Sequence, residues 1–158
     1  GPNPTVESNI AGAYYRSGLD KEPFEWGDND NIQGAIADFN KAIAINPRYT
    51  NAYFHRGNAK RILRDNQGAI SDYNKAIAIN PQFDSAYTNR GIAKNDLGDY
   101  QGAIADLNKA IEIDKYNTYA YRYRGIAKEN DGDLKGACAD WKEAGDRKSA
   151  KLVEEHCQ

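Results

Sequence analysis

Three Arg-Gly pairs, Arg56-Gly57, Arg90-Gly91 and Arg124-Gly125, stand 34 residues apart. The same neighbours recur around each: Tyr53, Tyr87 and Tyr121 four positions before the glycine, and Ala69, Ala103 and Ala137 twelve after it. A GAI–D–NKAI string begins at Gly34, Gly68 and Gly102 and persists in altered form from Gly136. A fixed period of this length restricts the chain to a stack of like units. One such unit cannot bury its apolar face alone, so its neighbours must complete it.

Within a unit the local signals predict two helices. Residues 86–97 are good helix formers, and Gly98 supplies a left-handed stop. Asp99 then caps a second helix over about 101–113, which carries Ile104, Leu107 and Ile111 on one stripe. Pro81 closes the preceding unit's second helix, since a residue without an N–H cannot continue it. Gly132 and Asp133 repeat the stop and the cap, whereas Arg64 stands where unit two needs its glycine, which predicts a tighter or less stable turn.

This pattern resembles the tetratricopeptide repeat family: a bulky aromatic, Gly four later, then Ala, an aromatic, Ala and Pro in the second half. Unit two supplies Tyr53, Gly57, Ala69, Tyr73, Ala76 and Pro81; unit three Tyr87, Gly91, Ala103, Leu107 and Ala110, with Lys115 in place of Pro. Unit four supplies Tyr121, Gly125, Ala137, Trp141 and Ala144, and unit one Tyr14, Gly18, Ala35, Phe39, Ala42 and Pro47. Arg before Gly, and Lys60, Lys94 and Lys128 in place of a tyrosine, are regular departures; the recurrence of the arginines assigns them a structural role. The resemblance implies an all-α, right-handed solenoid of about four helix-turn-helix repeats, bacterial in style. The expected units cover residues 11–50, 51–84, 85–118 and 119–145, after a tail over 1–10. Residues 146–158 then read as a capping helix, with Ala150, Val153 and Cys157 on its apolar side.

The totals exclude several function classes. Net charge is −2, with no block of Lys or Arg, which argues against a nucleic-acid partner. No run has the apolar length of a membrane span, so no membrane insertion is expected. No export signal is visible, so a cytoplasmic location is expected; Gly1-Pro2 reads as a tag remnant, which leaves a periplasmic or organellar lumen open. With two histidines, His55 and His156, no phosphate loop, no nucleophile elbow and no zinc spacing, the chain reads as non-enzymatic, without cofactor or metal. Cys138 and Cys157 can be bridged if their helices run antiparallel, but two packed thiols are the favoured reading.

Unit one breaks the rhythm. Its Gly18-to-Ala35 spacing is seventeen, with five extra residues inside the loop at 19–30. There Phe24 and Trp26 either cover the open end of the stack or contact a ligand. The acidic residues of this loop lack the ligand order of a calcium site.

In the family the resemblance points to, first helices line a concave groove that holds a peptide or a partner helix. The stripe one position after each aromatic is the expected lining: Phe54, Asn58 and Arg61, with His55 beside them; Thr88, Ile92 and Asn95, with Asn89; Arg122, Ile126 and Glu129, with Tyr123; and Tyr15 and Leu19 in unit one. The family's carboxylate-gripping set is incomplete: Asn58 and Asn89 match it, but Phe54, Tyr119 and Tyr123 stand where bases are needed. The expected function is a protein-interaction module or assembly scaffold whose preformed groove loses little entropy on binding. Self-association into a homo-oligomer or longer superhelix is the alternative.

Overall fold

The computed structural model describes residues 3–21 and 29–157, which contain helices and no strand. They fall into two compact units, 1–81 and 82–158. The first holds α1 (Pro4–Leu19), α2 (Asn29–Ile45), α3 (Thr50–Ile62) and α4 (Asn66–Ile79). The second holds α5 (Asp84–Asp96), α6 (Tyr100–Ile113), α7 (Thr118–Asn130), α8 (Leu134–Ala144) and α9 (Arg147–His156). Helices α1/α2 and α3/α4 pair as hairpins in one unit, and α5/α6 and α7/α8 in the other. Within each unit the later hairpin leans on the earlier one, α3 on α2 and α7 on α6, while α9 leans on α8.

Helices α4, α6 and α8 start on a common device. Asp65, Asp99 and Asp133 accept the backbone N–H of Gly68, Gly102 and Gly136 at 2.9, 2.9 and 2.8 Å. A Cβ on any of these glycines would stand 2.1 Å from the cap carboxylate, which explains why the repeat string opens on Gly. At the preceding turns Gly98 and Gly132 take φ of 83° and 94°, and Arg64 takes 67°. Arg64 thus keeps the turn its neighbours make and carries the steric cost of a side chain there.

Two sequence expectations change. Helix α1 begins at Pro4 rather than near Ala11, because Asn3 caps Thr5 N–H at 2.9 Å and Pro4 suits a first helical position. In α9 the fully buried residue is Ser149, while Ala150 is exposed, so the helix is rolled toward its Ser149 edge.

The core follows the repeat. Phe39, Tyr73, Leu107 and Trp141, one from each hairpin's second helix, are fully buried. Each fills the space opposite a glycine: a Cβ on Gly18, Gly57, Gly91 or Gly125 would lie 2.4, 2.7, 2.9 or 2.3 Å from that side chain.

An ionic triad recurs beside this core. Asp72, Asp106 and Asp140 are 3%, 5% and 4% exposed, which makes their charges costly unless paired. The Nε atoms of Arg56, Arg90 and Arg124 donate to them at 2.9, 2.8 and 2.9 Å, with a second bond from Nη2. Lys60, Lys94 and Lys128 take the other side at 2.9, 2.9 and 2.8 Å. The same arginines lie over Tyr53, Tyr87 and Tyr121, and Arg56 and Arg124 also reach Asn40 and Asn108 of the preceding hairpin. The two regular departures from the family pattern are therefore one feature: Arg and Lys enter together because both bind the same buried Asp. In the first hairpin, Lys21 and Ser17 hold Asp38 instead. Burial pushes the Asp38 carboxyl up, but the bonds from Lys21 and Ser17 and the lysine charge outweigh it and hold it below the usual carboxylate value.

Cys138 and Cys157 form a disulfide between α8 and the residue that closes α9, with Cα atoms 5.8 Å apart. The favoured reading of two packed thiols is thereby corrected. Packing α9 back along α8 is what brings residues nineteen apart within bonding reach.

Candidate functional site

The residues expected to line a ligand face divide by unit. In the first, Tyr15, Phe54 and His55 gather into one half-buried aromatic cluster. The Tyr15 ring lies 5.7 Å from His55 and 4.8 Å from Tyr49, and His55 lies edge-on to Phe54 at 5.2 Å. Phe39 and Tyr73 underlie them, 6.0 Å from His55 and Phe54. Burial raises the Tyr49 phenol above its ordinary value against the lowering effect of Arg16, so this hydroxyl stays protonated.

Asn58 belongs partly to the core: its Oδ1 accepts the hydroxyl of fully buried Tyr73 at 2.8 Å. Arg61 is half-buried, with its Nε enclosed and lacking an acceptor among the described residues. Phe24 and Trp26 lie outside the described residues.

In the second unit the stripe is a seam. Thr88, 4% exposed, accepts from Nδ2 of Asn117 at 3.1 Å, and Asn117 caps α7. Near the other end Asn95 accepts from Asn130, the last residue of α7, at 3.0 Å. Move 34 residues on and the same two places recur. Arg122, 8% exposed, donates to Asp146, the cap of α9, at 3.0 Å; Glu129 meets His156, the last residue of α9, at 2.8 Å. Helix α9 is thus held at the points by which α5 holds α7. It takes the place of a fifth first helix.

Thr88 and Arg122 are consequently seam residues rather than open contact residues, because the next helix needs their polar groups. Asn95 is tied into the same seam, and Asn89 is half-buried beside it. Tyr123 is half-buried against the Ala103, Leu107 and Ala110 core. What stays open is Tyr119, 60% exposed, an off-consensus tyrosine for which the sequence leaves a contact role and a stacking role both open. The Arg122 guanidinium lies 4.6 Å from its ring centre and 5.3 Å from that of Tyr123. Clamped by Asp146, Arg122 fixes a two-tyrosine platform at the surface. Its only sequence trace is three aromatic residues, Tyr119, Tyr121 and Tyr123, at alternate positions of α7.

Among the described residues no group of three or more His, Cys, Asp or Glu is placed to hold a metal, and no helix is long and apolar enough to cross a membrane.

Residues 50–83 and 85–117 each match the description of a tetratricopeptide repeat. These residues are two repeats of the tetratricopeptide-repeat family. The fold class of the chain is the all-α solenoid of that family, also seen in solved structures that resemble this tetratricopeptide-repeat chain. The Arabidopsis OM64 TPR domain superposes with a TM-score of 0.71 at 23% identity, over 78% of this chain and 98% of that one. MamA gives 0.69 at 24% identity, over 94% of both chains. The first TPR domain of Spaghetti (RPAP3), solved bound to the HSP90 peptide SRMEEVD, gives 0.72 at 22% identity, over 79% of this chain and 95% of that one. At these identities the likeness is one of fold. An uncharacterized protein of Methanocaldococcus jannaschii is 38% identical over 60 residues, which cover 37% of this chain and 64% of that relative's length.

Proposed function

We propose that this tetratricopeptide-repeat chain is a non-catalytic interaction module that receives a peptide or partner segment on the first-helix face of its second unit, at the Tyr119 platform. The observation that carries this reading is the Tyr119–Arg122–Tyr123 stack. A large aromatic surface held rigid before binding loses little entropy when a partner arrives, and tyrosine combines an apolar ring with a polar tip. The peptide held by the RPAP3 domain supports peptide recognition on this fold in general. It does not carry over in detail: Tyr119 and Tyr123 stand where a carboxylate grip needs bases, and Arg122 is already neutralised by Asp146. A neutral or aromatic segment fits this platform better than an acidic tail. The disulfide favours a periplasm-like, oxidising compartment over the cytoplasm as the place where the module works.

The test is to pan a displayed random-peptide library against the oxidised chain and measure the enriched peptides again on Tyr119→Ser. This exposed residue can change without disturbing the core. Binding that weakens at least tenfold supports the platform; binders indifferent to Tyr119→Ser, or no binders at all, refute it.

A further inference from the structure

We propose that the Cys138–Cys157 bond is a latch on the C-terminal end of the stack, and that reducing it opens the α7–α8 face to helix α1 of a second copy of this chain. This inference is independent of the peptide reading.

The lock side is α9. Without its covalent tie, this ten-residue helix is weakly seated: Ser149 is its one fully buried residue, and Leu152 and Val153 are half-buried. Of its two ion pairs to α7, Glu129 with His156 is solvent-exposed and weak, and Arg122 with Asp146 is the more enclosed one. The disulfide therefore supplies much of the docking, and it joins α9 at the end farthest from its connection to α8. Reduction by a dithiol runs through attack on one sulfur, cleavage of the S–S bond as a mixed disulfide forms, and closure of the reductant to its own disulfide. Cys138 and Cys157 are left as two thiols.

The key side is α1. Ala13 holds the repeat place of Ala120, one residue before the aromatic. Ala120 is fully buried against Ala103, Leu107 and Ala110 of the preceding hairpin, whereas Ala13 is exposed. Val6 and Ile10, 51% and 43% exposed, continue the same face at helical spacing. The stripe that seats α7 on its neighbour is thus bare on α1.

The charges match as well. The face under α9 presents Arg122 to the start of a helix and Glu129 to its end. Helix α1 carries Glu7 in its first turn and Arg16 in its last, the same polarity as Asp146 and His156. A head-to-tail contact of this kind uses different surfaces on the two copies, so each added copy offers a new free end until a ring closes.

Light scattering on the full chain across a concentration series tests the proposal, comparing the oxidised protein with the reduced, alkylated protein and with Cys138→Ser/Cys157→Ser. The oxidised chain is expected to hold one mass, whereas the other two at least double theirs as concentration rises. Ile10→Asp, on an exposed position, is expected to return the reduced chain to the oxidised mass. The proposal is overturned if reduction leaves the mass unchanged, if the oxidised chain grows equally, or if growth survives Ile10→Asp. Loss of the far-ultraviolet helical signal on reduction would also overturn it, by showing a staple for the whole unit rather than a latch on one helix. None of these outcomes alters peptide binding by the oxidised chain, so the two readings fail separately.

Discussion

The hydroxyl of Tyr73 donates to Oδ1 of Asn58 across the third and fourth helices, at 2.8 Å, with the tyrosine fully buried. This one bond changes what Asn58 is for. Asn58→Ala strands a buried hydroxyl and is expected to cost about 1–3 kcal/mol. Adding Tyr73→Phe should recover most of that loss, because both polar partners are then gone. Urea unfolding of the single and double variants checks it; a silent Asn58→Ala would return the residue to the open face.

Asp106→Ala leaves the Arg90 fork and the Lys94 ammonium without the carboxylate that both bind. Removing one member of such a buried group is expected to cost about 3–5 kcal/mol. Replacing an exposed acid such as Asp96 should change little, and thermal unfolding of the two variants makes the comparison.

Arg64 sits at φ 67°, where Gly98 and Gly132 stand in the later turns. Arg64→Gly is expected to stabilise the first unit by about 1 kcal/mol, since a side chain in the left-handed region carries roughly that strain. A lower denaturation midpoint in this variant would mean that the Arg64 side chain contributes more than its backbone costs.

Asp146 caps α9 and receives Arg122. Burial pushes its carboxyl up, but the backbone N–H of Ser149 and the Arg122 charge prevail and hold it below its ordinary value. A lowered folded-state pKa means a contribution that is complete above the unfolded value of about 3.9 and is lost as pH falls through the lower folded value. Amide protection along α9, taken relative to the intrinsic exchange rate at each pH, should therefore fall on acidification below about pH 4. Asp146→Asn should flatten that dependence; an unaltered acid profile in the variant would assign the loosening to another carboxylate.

The period, the two helices in each unit, the Asp caps and the aromatic core positions were all legible in the one-dimensional pattern. Each is written within a few residues, by helical spacing or by the chemistry of a turn, and the 34-residue repeat states it several times over. Phe39, Tyr73, Leu107 and Trp141 are buried where the family pattern places its aromatics. Residues twelve or more apart were another matter. That Arg56 and Lys60 converge on Asp72, that Cys157 reaches Cys138, and that Thr88 and Arg122 are consumed in seams all depend on how one helix crosses the next. Sequence spacing defines the faces of a helix, but which face meets a neighbour is set by packing between helices, and that is decided only when the chain is assembled.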